Sequence, residues 1–141
     1  MKIKGKTFNI ILLTMLLIIV LVISYFIYNN STKSLNGVCI ENKRCFYVEI
    51  ASTLSEREKG LGTKQSLEID KGMLFIFEDE TLPGFWMKDM NFPIDIIWID
   101  KNMKIIGVEK SLEPCKNGKE CPAYYPQRKA MYVLEINSGL S

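Results

Sequence analysis

The side chains able to do chemistry in this 141-residue chain are few, and one type is missing: there is no histidine. Without imidazole, Ser–His and Cys–His nucleophilic systems and histidine-held metal sites are excluded, and with them most hydrolase and metalloenzyme classes. Two carboxylates stand in apolar surroundings: Asp95 within Ile94-Asp95-Ile96-Ile97-Trp98-Ile99, and Glu135 within Val133-Leu134-Glu135-Ile136. A carboxylate on an apolar face must be hydrogen-bonded or charge-paired, because bare burial costs several kcal/mol. The bland reading of Asp95 is a buttress that accepts loop N–H groups or pairs with Lys88; the sharp reading is a ligand-facing acid. Glu135 shares that context and is expected in the same network. Two carboxylates at a suitable separation can hydrolyse glycosides, but no such distance is legible here. Trp86 and Lys88 alternate onto one strand face, where an indole beside an ammonium suits a sugar ring. The bland alternative is a Trp covering the core beside a snorkelling lysine. Tyr124, at the end of the longest loop, completes the candidate ligand-binding set of Trp86, Lys88, Asp95, Tyr124 and Glu135. No residue is assigned a catalytic role.

The four cysteines form two C-x5-C pairs, Cys39 with Cys45 and Cys115 with Cys121. Zinc knuckles need C-x2-C spacing or histidines, and disulfide oxidoreductases need C-x-x-C, so metal, cofactor and thiol chemistry are not expected. An even count points to disulfides in an oxidising compartment. Counting alone allows three connectivities. Local pairing is preferred because each pair brackets a polar, turn-forming segment, Glu41-Asn42-Lys43 or Asn117-Gly118-Lys119. Closing so short a loop is worth about 2.4 kcal/mol in the chain-entropy model, so such clips shape loops more than they hold the fold.

The elements that must position these groups read mostly as period-two strands. A hairpin across Cys39–Cys45 runs on as Phe46-Tyr47-Val48-Glu49-Ile50. Ser55-x-x-Glu58 reads as a capping box, which predicts a short helix over Glu56–Leu61 stopped at Gly60 or Gly62. Met73–Phe77 and Ile94–Ile99 read as strands, the latter joined through Asp100-Lys101-Asn102 to Lys104–Val108, and Ala130–Ile136 as the last. Pro83-Gly84 marks a turn before Phe85-Trp86-Met87-Lys88. The fold class is therefore mainly β, a compact sandwich or barrel-like domain with one short helix.

Ahead of that domain, Ile10–Tyr28 is 19 residues without charge, Gly or Pro. As a helix it would be about 28 Å long, close to the ~30 Å hydrocarbon thickness of a bilayer. The segment lacks the small-x-small step that ends a cleaved signal peptide, so an uncleaved signal-anchor is preferred. Lys2, Lys4 and Lys6 precede it and only Lys33 follows within ten residues, which places the N-terminus in the cytoplasm and the domain outside. The organisation is then a basic lead (1–9), a transmembrane signal-anchor helix (10–28), a polar linker (29–36) and an extracytoplasmic β domain (37–141). Without the three leading lysines, 15 basic residues face 16 acidic ones, and they are interleaved as in Glu56-Arg57-Glu58-Lys59. That pattern reads as a solvated surface. It carries no basic stripe, so a nucleic-acid partner is not expected.

Gly72-Met73-Leu74-Phe75-Ile76-Phe77, Phe85-Trp86-Met87-Lys88, Pro93–Asp100 and Tyr132–Gly139 together resemble DUF192, small bacterial and archaeal proteins of unknown function that are often secreted or membrane-anchored. The resemblance spans roughly Val48–Gly139, and Pro114-Cys115 through Tyr124 also looks like a segment seen in that family. It implies a β-rich fold and carries no assigned catalytic residues. Two departures stand out. Gly62 occupies the place where the family usually has methionine, and the chain stops at Ser141, where family members tend to continue into another strand. A truncated C-terminus would leave an exposed sheet edge.

Two function classes follow. The first is a membrane-tethered, non-catalytic binding or interaction module of the cell envelope, recognising an envelope polysaccharide or an envelope protein. The second is a histidine-free enzyme acting on envelope glycans through Asp95 and Glu135, with Lys88 as charge partner. If both acids line one cleft beside Trp86, catalysis gains; if both are sealed by backbone N–H groups, binding gains. A purely structural role for the apolar helix is disfavoured by its lack of small-xxx-small spacing.

Overall fold

The apolar run and the strand-patterned remainder fold as two units in the computed structural model, one ending at residue 34 and one beginning at residue 35. The structure describes residues 5–31, 36–40, 44–115 and 120–141. In the first unit, a helix α1 (Gly5–Ser31) takes up the apolar run, as expected of 27 residues without proline. None of its side chains between Asn9 and Phe26 is buried, and among the described residues it is the one helix long and apolar enough to cross a membrane.

The second unit is mainly β. Its elements are β1 (Asn36–Ile40), β2 (Arg44–Ala51), α2 (Leu54–Lys59), β3 (Lys71–Thr81), β4 (Phe85–Trp86), β5 (Ile94–Ile99), β6 (Ile105–Leu112), β7 (Ala123–Tyr124) and β8 (Ala130–Asn137). Six of the strands form one sheet in the order β1-β2-β3-β8-β5-β6, and β4 pairs with β7 as a separate two-stranded ribbon. All ladders are antiparallel except β2 with β3, where α2 and the following loop make the crossover that a parallel pair requires. The sheet is not closed into a barrel; β1 and β6 are its edges. Strand β8 lies in the middle of the sheet, between β3 and β5.

Alternation divides the core between the two faces. Phe46 and Val48 of β2, Ile97 and Ile99 of β5, and Leu134 and Ile136 of β8 form one buried cluster. Met73 and Phe75 of β3, Ile94, Ile96 and Trp98 of β5, and Val133 of β8 form the other, beneath Leu61, Met87 and Met90. Burying each such side chain is worth roughly 1.5–3 kcal/mol. With both faces covered, all six residues of β5 are buried, the charged Asp95 included.

Several boundaries differ from the sequence reading, each for a local reason. The capping box is Thr53-x-x-Glu56, not Ser55-x-x-Glu58: Thr53 takes an extended conformation (ψ 158°) and exchanges hydrogen bonds with Glu56. The sequence contains both registers, and α2 uses the earlier one, ending at Gly60 with its positive φ of 47°. β3 runs to Thr81, well beyond Phe77. Both cysteine pairs close locally, Cys39–Cys45 across the β1/β2 register and Cys115–Cys121 at the long loop. The turn segments 41–43 and 116–119 that they bracket lie outside the described residues, as do 1–4 of the basic lead and 32–35 of the linker.

Candidate functional site

A cavity of about 940 Å³ opens on the Phe75/Trp98 face of the sheet. Its floor comes from β3 and β8, whose alternation brings Phe75, Phe77 and Glu135 onto that face, and its walls come from α2, the Gly60–Thr63 turn and the segment Pro83–Met90. Arg57 joins wall to floor: its guanidinium donates to the Ile76 carbonyl at 3.0 Å and to the Ser52 carbonyl, and lies 5.0 Å over the Phe77 ring. The interleaved charges of Glu56-Arg57-Glu58-Lys59 lie on a solvated surface as expected, with none of the four buried, and Arg57, Glu58 and Lys59 also line the open side of the cavity.

Glu135 is the unusual group. It is 4% exposed, lines the cavity, and its Oε2 has no hydrogen-bond partner among the described residues. The residues directly across from it are Met73 on β3 and Ile96 on β5, neither of which can donate. Burial without compensation pushes its carboxyl up to about 8, so near neutral pH it is largely protonated.

Trp86 and Lys88 stand at the mouth. The indole is 57% exposed and the Lys88 ammonium sits 5.5 Å over its ring, close enough for cation–π attraction. Their segment is held in place twice. Phe85 and Trp86 pair with Tyr124 and Ala123 in the ribbon, and the Cys115 N–H donates to the Met87 carbonyl at 2.9 Å. The disulfide-closed loop is thereby tied to the cavity wall. Tyr124 serves this ribbon and packs on the core rather than lining the cavity. Its neighbour Tyr125 lies against Gly84, where a Cβ would fall 2.4 Å from the ring, so only glycine allows that approach.

Asp95 is elsewhere. It pairs with Ile136 across the β5/β8 register while Ile96 pairs with Glu135, so the two carboxylates point to opposite faces of the sheet. The shared network expected of them, and with it a pairing of Asp95 with the Lys88 side, does not form. Asp95 Oδ1 accepts the N–H groups of Ser111 (2.8 Å) and Gly139 (3.1 Å), and Oδ2 those of Leu140 and Ser141 (both 3.0 Å). A bulge supplies the first donor: β5 advances two residues from Ile94 to Ile96 while β6 advances three, and Ser111 takes a φ of 52°. Burial pushes the Asp95 carboxyl up, but the backbone N–H groups of Ser111, Ser141 and Gly139 outweigh it and hold the group below its usual value.

The sequence-predicted residues Trp86, Lys88 and Glu135 thus meet at one cavity, and Asp95 and Tyr124 stay outside its lining. Gly62, the position departing from the resembled pattern, is in the lining. Arg57, Phe75 and Phe77 were not singled out. Their signal is the strand spacing of Phe75 and Phe77, which says that they share a face but not that a cavity stands over it.

Comparison with known proteins adds the following. The model of the DUF192 family, described as an uncharacterized ACR, matches residues 38–141. A crystal structure of a protein of unknown function from Novosphingobium aromaticivorans is similar at 28% identity and a TM-score of 0.63, over 69% of this chain and 66% of that one. A second, described as a "putative transcription regulator" from Sinorhizobium meliloti, is similar at 29% identity and a TM-score of 0.62, over 68% of this chain and 71% of that one. No curated protein matches the chain.

Proposed function

The chain belongs to the DUF192 family, and from that premise and the geometry of its β unit we propose that it is a membrane-tethered binding module of the cell envelope. The observation that carries the binding function is the cavity of about 940 Å³ with a buried, unpartnered Glu135 in its lining. Pockets of this size, apolar with a few converging polar groups, are characteristic of small-ligand sites. Trp86 and Lys88 at its mouth are the contacts through which a larger envelope molecule would be engaged.

The location rests on separate support. The Asn9–Phe26 helix has the length and composition of a span, the lysines of the lead favour a cytoplasmic N-terminus, and cysteines paired as disulfides suit an oxidising compartment. In this reading residues 10–28 are an uncleaved single-pass anchor and the β unit lies outside. Interleaved charges without a basic stripe give no support for extending the regulator description of the Sinorhizobium protein to this chain.

The reading as an enzyme acting on glycans through Asp95 and Glu135 loses its carboxylate pair, since the two lie on opposite faces and Asp95 is consumed by four backbone donors. The test is a screen of envelope glycans and envelope proteins against the full chain in nanodiscs, repeated with Trp86→Ala. A ligand whose binding weakens at least tenfold in the variant is expected; if every ligand found ignores Trp86, the cavity is not the binding site.

A further inference from the structure

The cavity mixes polar and apolar lining. Charged and hydroxyl side chains come from α2, Thr63, Lys88 and Asp89, the apolar ones include Phe75, Phe77, Leu61 and Met90, and the cross-strand neighbours of Glu135 are Met73 and Ile96. A sugar ring brings a hydroxyl on nearly every carbon, and each would need a partner that this apolar floor does not have. An apolar body ending in one polar head matches it better. That head meets a carboxyl flanked by Met73 and Ile96, whose Oε2 has no donor among the described residues. Leaving it bare is costly in either protonation state, and a cation is the partner that compensates a buried carboxylate most fully.

Resting on the cavity reading above, we infer that this site takes a primary amine carried on an alkyl or aryl body, its ammonium paired with the Glu135 carboxylate. The body would lie on Phe75 and Phe77, and the indole of Trp86 would close the mouth over it. The free carboxyl is largely protonated near neutral pH, so the exchange balances as follows: the neutral acid and the ammonium ion combine into an ion pair, and the acid's proton goes to solvent. Binding is therefore linked to proton release. The other charged groups around the cavity are Arg57, Glu58 and Lys59 from α2 and Lys88 and Asp89 after β4. From β3 and β5 the facing residues, Met73 and Ile96, do not titrate.

The experiment is calorimetry on the full chain in nanodiscs at pH 6.5, with empty nanodiscs as reference, comparing phenethylamine, 2-phenylethanol and phenylacetate in two buffers of different ionisation enthalpy. Phenethylamine is expected to bind at least tenfold tighter than either analogue and to release close to one proton. Glu135→Gln should weaken the amine at least tenfold, abolish proton release and leave the alcohol within about twofold. Equal binding of amine and alcohol, or proton release that persists in Glu135→Gln, would overturn the inference while leaving the cavity as a site. Should Glu135→Gln fail to fold, Gly62→Phe keeps the carboxyl and adds bulk to the cavity lining at a position where the new Cβ meets nothing closer than 3.6 Å. Loss of amine binding in that variant supports the inference. Unchanged amine binding, or none by the folded wild-type chain, overturns it, and if the alcohol too fails to bind the cavity reading falls with it.

Discussion

Two buried acids on neighbouring strands respond to their surroundings in opposite directions, and that makes their effects on stability separable. Glu135 has its carboxyl raised from 4.5 to about 8 by burial. Its contribution is fully present below the unfolded value and is lost as pH rises through the folded one, so stability should fall between about pH 4.5 and 8. At 1.36 kcal/mol per unit this reaches on the order of 3–5 kcal/mol. Glu135→Gln should remove that slope, and thermal melts from pH 5 to 8 should show the variant gaining on the wild type as pH rises. A constant difference across that range would contradict the burial of an unpaired acid. Asp95 has a lowered value, so its contribution is present above the ordinary 3.8 and is lost as pH falls through the depressed one. Asp95→Asn keeps one acceptor oxygen and replaces the other with a donor facing backbone N–H groups, and should cost about 2–4 kcal/mol near neutral pH. Denaturant midpoints measure it, and a loss below about 1 kcal/mol would mean that the four N–H groups find other partners. The alternation of β5 already placed Asp95 with Ile97 and Ile99, and the structure keeps it on that face. Nothing local could show that β8 would present Ile136, not Glu135, to it.

At the scale of elements, α2 decides how one cavity wall is set. Its first turn is satisfied by Thr53 and Glu56, and Glu56 Oε2 also accepts the Ser52 and Thr53 N–H groups at 3.0 and 2.9 Å. Thr53→Ala should therefore destabilise the β unit by about 1 kcal/mol, whereas Ser55→Ala should be close to neutral. Chemical denaturation of the two variants distinguishes the registers, and a larger loss for Ser55→Ala would restore the later cap. Both registers satisfy the same S/T-x-x-E pattern, so propensity could not choose between them. The choice follows from Arg57, whose contacts with the Ile76 carbonyl and the Phe77 ring hold α2 to β3 in one rotation. The bulge at Ser111 is a second element that no periodicity announces: its purpose is visible only in the hydrogen bond it aims at Asp95.

For the whole molecule, the proposed topology makes two checks available. Protease added to spheroplasts should digest the β unit while the lysine-rich lead stays protected; a β unit that survives with the lead cleaved would reverse the orientation. Iodoacetamide should label no thiol on the native chain and all four after reduction and unfolding, in keeping with both disulfides. Labelling before reduction would remove the support that the cysteines lend to an oxidising location. The two units answer to different solvents in this reading: α1 exposes its apolar side chains along its length, and the β unit buries its own on both faces of one sheet.

Composition and short-range pattern were enough for the apolar helix, the mainly β domain, the local disulfides, the face of Asp95 and the absence of imidazole chemistry. These properties depend on a residue and its neighbours a few positions away, where transfer free energy and strand alternation act directly. Which strands are adjacent, and in what register, is settled by contacts between segments far apart in the chain. That is why the open six-stranded order, the central place of β8, the separation of Asp95 from Glu135 and the cavity under α2 emerge only from the folded chain. A one-residue slip of β8 against β5 would exchange the two faces of that strand, carrying Glu135 to the side of Asp95 and Ile136 into the cavity.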